Sequence, residues 1–187
     1  MNNIESVEKK LREAQSSLDK MREQEQRAFG DKEPFDDYLS AFLNAARTVD
    51  YRLRHEYPTT YPAWREGWNA KNPDDDRHIR FISRKRRDEV HAAGSGRKLK
   101  TKEVKVGVGG SYTDKGGSTL QVFGTPTPLT EGVNTGATIF MPAYVFEMED
   151  GTERPVTDVC AQGLAALTRM VDEFRAALPG LVPAPAP

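Results

Sequence analysis

Apolar residues recur at helical spacing in five stretches of the chain. In the first stretch, near the N-terminus, they step by three and four along an otherwise charged segment. This spacing predicts a helix of about 25 residues with a narrow heptad seam. The seam is typical of a bundle helix, which we favour, and also of a helix that pairs with a partner or a second copy of the chain. Its members are Ile4, Val7, Leu11, Ala14, Leu18 and Met21.

The second stretch predicts the central helix of a bundle, over residues 33–56. Its apolar stripe is wider than the first, which indicates contacts on more than one side. A short third helix is predicted over residues 63–70, where Trp64 and Trp68 at i and i+4 would seal the core. The stripe of the second helix comprises Phe35, Tyr38, Leu39, Phe42, Leu43, Ala45, Ala46, Val49 and Leu53.

Two further helices are predicted on either side of a segment of different composition. The fourth helix covers residues 74–93. An acidic triplet at 74–76 lies at its N-terminus, where the positive end of the helix dipole stabilises negative charge, and Gly94 follows its end. The last helix covers residues 157–178, and the proline–alanine tail at 179–187 is predicted to be disordered. The apolar stripe of the last helix comprises Cys160, Leu164, Leu167, Val171, Phe174 and Leu178.

Between these helices the hydrophobic pattern changes to alternation. Valines at 104, 106 and 108 alternate with polar residues or glycine, as in a half-buried strand. Further strands are predicted at 119–123, at 137–148 with a break at Pro142, and near Arg154 after a turn at Asp150-Gly151. The fold class is therefore α+β and mainly α. We expect a four- to five-helix up-and-down bundle (residues 1–100), a small antiparallel β insertion (101–156) and a closing helix (157–178).

Composition excludes several classes of protein. The 187 residues suit about one domain and contain no apolar run long enough to span a membrane. The polar N-terminus does not resemble a secretory signal, and the single Cys160 excludes an internal disulfide, so we expect a cytoplasmic protein. Cys160 lies on an apolar stripe and is predicted to be an inert thiol. The three histidines show no metal-ligand spacing, and we expect neither a metal nor a cofactor.

The net charge of −1 conceals a strongly basic block. Residues 77–105 carry 11 basic and 3 acidic side chains, a net +8 between segments of net −4 and −5. Such a block is typical either of a surface that attracts phosphate or of a solvated helix face paired with neighbouring acids. The fourth helix supplies much of this charge.

Arginine and histidine meet on that helix. Arg86 interrupts an apolar stripe and requires a partner, an interface or a phosphate, while His91 follows near the helix end, where the dipole favours its protonated form. The pair suits cleavage of RNA without a metal: histidine moves protons, arginine holds the phosphate, and the 2′-hydroxyl is the nucleophile. Alternatively, Arg86 forms a structural salt bridge and His91 binds a terminal carbonyl.

The stretch FISRKRRDEVHAAG, residues 81–94, resembles the motif helix of the HEPN superfamily. These domains are bundles of four or five helices with an Arg-x(4–6)-His signature. Arg86 matches it with four intervening residues and Arg84 with six, and the likeness covers residues 33–94 and 157–178. The resemblance implies a homodimer with an intersubunit cleft and a metal-independent endoribonuclease or RNA-binding protein of the toxin or defence type. Arg86 and His91 would be catalytic, and Arg84, Lys85 and Arg87 would attract RNA.

Two other functions are considered. The first is a non-catalytic interaction or dimerisation module that engages a protein partner through the first helix or the β insertion. The second is a binder of single-stranded nucleic acid through the β-rich segment. Tyr112 and Phe123 are isolated there, which argues against an aromatic stacking platform.

Overall fold

Five helices and five strands make up the described part of the chain. The computed structural model describes residues 4–27, 33–91, 96–107, 110–113, 117, 119–121 and 136–181. The helices are α1 (Ile4–Glu25), α2 (Glu33–Glu56), α3 (Tyr61–Lys71), α4 (Pro73–His91) and α5 (Val156–Leu181). The strands are β1 (Arg97–Gly107), β2 (Ser111–Thr113), β3 (Thr119–Gln121), β4 (Gly136–Glu147) and β5 (Glu153–Pro155). A mainly α fold with a small antiparallel sheet before the last helix was predicted and is confirmed.

The seam of α1 is buried within the chain. Val7, Ala14, Leu18 and Met21 are almost completely inaccessible, and the helix packs along α2 and against α5. The interpretation as a bundle helix is therefore confirmed, and any partner of α1 would have to use its polar faces. None of the described helices is long and apolar enough to cross a membrane.

α2, α3 and α5 enclose an aromatic part of the core. α2 has the predicted bounds, and α3 begins two residues earlier than predicted, with a proline in its first turn. Trp68 is buried and Trp64 half-buried, and the Trp64 ring lies 4.9 Å from that of Phe174 on α5. The predicted role of both tryptophans in the core is thus confirmed.

The predicted end of α5 at Pro179 is wrong. The helix continues to Leu181. Pro179 removes one N–H from the helical hydrogen bonds, and only two residues follow it before the helix ends. Residues 179–181 are therefore helical rather than part of a disordered tail, and residues 182–187 lie outside the described part of the chain, as does Gly94 at the predicted end of the fourth helix.

α4 is fixed to α5 by close packing. A Cβ built on Gly163 of α5 would lie 1.8 Å from Cδ1 and 2.9 Å from Cγ1 of Ile82, so only glycine admits Ile82 in its present position. At the start of α4, the carboxylate of Asp75 accepts a hydrogen bond of 2.8 Å from Nε of Arg169. This attachment buries the apolar side of α4 and leaves an arginine-bearing side facing outward.

The β insertion forms an antiparallel sheet of order β1-β4-β5 and a separate β2-β3 hairpin. β1 begins at Arg97, earlier than predicted, and β2 was not predicted. The predicted break at Pro142 is wrong, because β4 continues through it with Pro142 opposite Thr101. Among the described residues β5 pairs only with residues 145–147, so no described strand occupies the second edge of β4 at Pro142, where a residue without an N–H can be accommodated. The predicted turn before β5 is confirmed, with Gly151 at φ +78°.

Two aromatic contacts attach the sheet to the bundle. The ring of Phe35 on α2 stacks on that of Tyr144 at 3.6 Å, and the ring of Phe81 on α4 meets that of Phe146 at 5.7 Å. The other face of the sheet has a small core of its own, to which Val106, Ile139 and Met141 contribute. The sheet therefore rests beside α2 and α4.

Candidate functional site

A groove with a volume of about 500 Å³ lies between α2, α3 and α4. This volume falls within the range of about 300–1,000 Å³ that is usual for ligand clefts. Its lining has a large excess of positive charge, with two aspartates, Asp50 and Asp76, against six arginines. We call it the arginine groove. The arginines are Arg47, Arg54, Arg65, Arg80, Arg84 and Arg87.

Helical periodicity explains how the two walls are built. On α2, Arg47 and Arg54 are seven residues apart and therefore lie on one side of the helix, away from its apolar stripe. On α4, Arg80, Arg84 and Arg87 lie on one side in the same way, opposite the face that packs on α5. The two polar sides face each other across the groove.

Arg65 of α3 is the buried cation of the groove. Its side chain is 7% exposed, its Nη2 donates to Oδ1 of Asp76 at 3.1 Å, and its Nε lies 3.6 Å from Oδ1 of Asp50. The guanidinium also lies 4.9 Å from the centre of the Trp68 ring. Nε and Nη1 of Arg65, and Oδ1 of the neighbouring Asn69, are buried without a hydrogen-bond partner. Unsatisfied buried groups of this kind are uncommon in folded proteins.

Each aspartate also binds an exposed arginine. Asp50 accepts a hydrogen bond of 2.8 Å from Nε of Arg54, and Nε of Arg80 lies 2.6 Å from Oδ2 of Asp76. The contact with Asp50 raises the pKa of Arg54. The hydroxyl of Tyr61 donates to Asp50 at 2.6 Å, and burial together with the Asp50 charge raises the pKa of Tyr61. Tyr61 therefore remains a hydrogen-bond donor at neutral pH.

The five predicted site residues fall in different places. Arg84 and Arg87 line the arginine groove; Arg87 is exposed, and Arg84 pairs with Glu149. Lys85 is on another side of α4, with Nζ 5.1 Å from the ring centre of Phe146, and burial lowers its pKa. Arg86 is half-buried and is not among the groove-lining residues. His91 is the last residue of α4, but its side chain lies outside the described residues.

Sequence reasoning missed the arginines outside the motif. Arg47, Arg54 and Arg80 belong to polar stripes that only the packing of α2 against α4 brings together. Arg65 could have been found from the sequence. It follows Trp64 on a helix predicted to seal the core, and a charged residue in a core needs a compensating partner. The acidic triplet lies in the first turn of α4 as predicted, and Asp76 is in addition buried against Arg65 in the groove.

Other candidate chemistry is limited in the part of the chain that the structure describes. No cluster of histidine, cysteine, aspartate and glutamate suited to a metal ion occurs among these residues. Cys160 is fully buried and burial raises the pKa of its thiol, so its predicted inertness agrees with its surroundings. Comparisons with protein-family models, curated proteins and solved structures found no match for this chain. The arginine groove is therefore the feature of this chain that bears most directly on its function.

Proposed function

We propose that the chain is a cytoplasmic, HEPN-like RNA-binding protein and that the arginine groove binds the phosphate backbone. The observation that carries the proposal is the gathering of six arginines and two aspartates in one groove. Arginine is suited to phosphate because its planar guanidinium offers paired donors and keeps its charge at all relevant pH values. Three arginines of the basic block, Arg80, Arg84 and Arg87, line this groove, whereas five of its basic residues lie on β1.

The arrangement of the exposed arginines favours a polymer. Arg80, Arg84 and Arg87 form a row along α4 that extends about 10 Å, at a rise of about 1.5 Å per residue. Arg47 and Arg54 extend along the opposite wall on α2. A row of cations along a groove suits successive phosphates of a strand better than one small anion.

Metal-independent RNA cleavage is the catalytic form of this proposal. Successive residues of a helix are rotated by about 100°, so His91 and Arg84, seven positions apart, lie on nearly the same side of α4. His91 and Arg86, five positions apart, are separated by about 140° around the helix. We therefore assign the role of holding the scissile phosphate to Arg84 in place of Arg86. His91 would then act as the general acid or base.

RNA binding can be tested with matched charge variants. Fluorescence anisotropy of a labelled single-stranded RNA would be measured for the intact protein, for Arg84→Gln/Arg87→Gln in the groove, and for Lys9→Gln/Arg12→Gln on exposed positions of α1. Each lost phosphate contact should reduce the slope of log affinity against log salt by about 0.7. We expect this reduction only in the groove variant. Equal weakening by both variants, or no binding by the intact protein, would contradict the proposal.

Cleavage requires a separate test. The intact protein and His91→Ala would be incubated with RNA in EDTA, beside a substrate whose 2′-hydroxyls are replaced by hydrogen. We expect the intact protein to cut only the RNA, because the 2′-hydroxyl supplies the nucleophile, and His91→Ala to leave both substrates whole. Equal products from the two proteins would contradict the proposal of RNA cleavage. RNA binding is tested separately by the anisotropy experiment.

A non-catalytic dimerisation module is the second candidate, and exposed apolar residues on the sheet favour it. Leu99 is 40% and Phe140 57% exposed, and the register puts both on the sheet face that carries Tyr144. Light scattering of the intact protein and of Leu99→Ser/Phe140→Ser would measure the assembly. Loss of a dimer in the double variant supports this candidate, whereas a monomeric intact protein contradicts it.

A further inference from the structure

A chain of alternating charges connects the two walls of the arginine groove. It runs from Arg54 to Asp50, on to the buried Arg65, then to Asp76 and finally to Arg80, and so joins α2, α3 and α4. The successive atom pairs are separated by 2.8, 3.6, 3.1 and 2.6 Å. Every link of the chain is thus within the range of an ion pair.

The two exposed ends of the chain are held in the same manner. Arg54 and Arg80 both contact their aspartates through Nε, and their side chains remain 52% and 71% exposed. A carboxylate at Nε fixes the plane of a guanidinium and leaves its two terminal Nη groups outside that contact. Those groups are the paired donors that bind two oxygens of a phosphate. The guanidinium of Arg54 is steadied further by the Tyr61 ring, whose centre is 5.7 Å away.

Burying Arg65 carries a desolvation cost that its ion pairs with Asp50 and Asp76 have to offset. A buried ion pair is often no more stabilising than well-packed apolar side chains, and Arg65 also leaves two nitrogens without hydrogen-bond partners. Its placement does, however, connect Asp50 to Asp76. Through them, the orientation of one exposed arginine is tied to that of the other.

We propose that Asp50, Arg65 and Asp76 are positioning residues that hold Arg54 and Arg80 as a clamp for a single phosphate group in the arginine groove. The inference rests on the proposed function in taking this phosphate from an RNA backbone. Inorganic phosphate presents the same tetrahedral oxygens and serves as the probe for the clamp alone. RNA then serves as the probe for the function.

Lysine exchanges test the clamp without altering charge. Binding of inorganic phosphate would be measured by calorimetry at constant ionic strength for the intact protein, Arg54→Lys and Arg80→Lys. Arg77→Lys is the control, because Arg77 is 74% exposed, pairs with Asp74 of the same helix and lies outside the groove lining. Loss of a two-donor contact should weaken binding about tenfold in each clamp variant. The control should bind as the intact protein does.

Substitution of the aspartates distinguishes the clamp from simple charge attraction, because the two predict opposite changes in phosphate affinity. Asp50→Asn and Asp76→Asn each make the groove more positive, so simple charge attraction predicts tighter phosphate binding. The clamp predicts weaker binding, because Arg54 or Arg80 loses the carboxylate that orients it. Asp74→Asn, at a position 79% exposed, makes the same charge change outside the groove and should not weaken binding. Should Asp50→Asn or Asp76→Asn fail to fold by circular dichroism, the lysine exchanges at exposed positions decide the matter.

The outcomes separate the clamp from the function. Absence of phosphate binding by the intact protein, or unchanged binding by Arg54→Lys and Arg80→Lys, overturns the clamp even where RNA binds the groove. Phosphate binding that depends on both arginines, without any RNA binding, supports the clamp and overturns the proposed function. Tighter phosphate binding by folded Asp50→Asn and Asp76→Asn also overturns the clamp, since it shows that the carboxylates act only as opposing charges.

Discussion

The contact between Gly163 and Ile82 allows a quantitative prediction about how α4 is held. In Gly163→Ala the added Cβ would lie 1.8 Å from Cδ1 of Ile82, far inside the normal separation of about 3.5–4 Å between carbon atoms. Ile82 is 2% exposed and cannot move into solvent. The side chain or the whole of α4 must therefore shift.

Several terms set the expected free energies of unfolding. Replacing glycine by alanine inside a helix contributes about 1 kcal/mol of stability, whereas overpacking a core costs about 1–3 kcal/mol. Gly163→Ala should thus be destabilised by about 1 kcal/mol. Ile82→Val removes the clashing Cδ1 and should by itself cost about 1 kcal/mol. In the double variant the new Cβ fills the space that Cδ1 leaves and keeps only the milder contact of 2.9 Å with Cγ1, so its stability should be about 1 kcal/mol greater than the sum of the single effects predicts.

Urea unfolding followed by circular dichroism measures all four proteins of this cycle. Gly67→Ala on α3 is the matched control, because Gly67 is exposed and its added Cβ meets no atom within 4 Å. It should show the helical gain of about 1 kcal/mol without the clash. Additivity of Gly163→Ala and Ile82→Val within about 0.5 kcal/mol would refute the argument.

Three further predictions concern other parts of the core. Glu25 accepts a hydrogen bond of 2.8 Å from Thr157, and burial raises its pKa, so the folded state favours its neutral form. Glu25→Gln should therefore have a larger free energy of unfolding in urea than the intact protein at neutral pH. This difference should vanish as the pH falls below 4.5, the ordinary pKa of glutamate. A difference that persists in acid would contradict a raised pKa of Glu25. Cys160 should not react with a disulfide reagent before unfolding, and rapid modification of the native protein would show that it is accessible. Phe35→Ala should lose about 3–5 kcal/mol in urea unfolding, because Phe35 is fully buried and stacks on Tyr144; a loss below about 1 kcal/mol would mean that this stack does not attach the sheet.

The sequence predicted the helices well because their apolar stripes are long and regular. α2 was predicted to its terminal residues, 33–56, since the apolar pattern spans its whole length. Pro142 and Pro179 were interpreted as breaks, because a local pattern does not reveal an open sheet edge or the position of a proline within a helix's last turn. β2 covers three residues and is too short to produce a periodic signal.

The site was only partly predictable, for a different reason. The Arg/His helix and the basic block pointed to α4, and Arg84 and Arg87 do line the groove. Arg86 was predicted as a site residue because it interrupts an apolar stripe, but it is not among the residues that line the groove. The opposite wall and the buried Arg65 depend on contacts between helices that are distant in sequence. No periodicity within one helix encodes such contacts.

Both tryptophans of the chain lie on α3, within one turn of each other, and the guanidinium of Arg65 faces the Trp68 ring at 4.9 Å. Indole emission is sensitive to nearby charge, and this protein therefore carries a built-in optical reporter beside a strongly charged cleft. Occupancy of that cleft should change the intrinsic fluorescence of the unlabelled molecule. A collection of candidate anions and oligonucleotides can accordingly be screened in a cuvette, with no dye attached to either component.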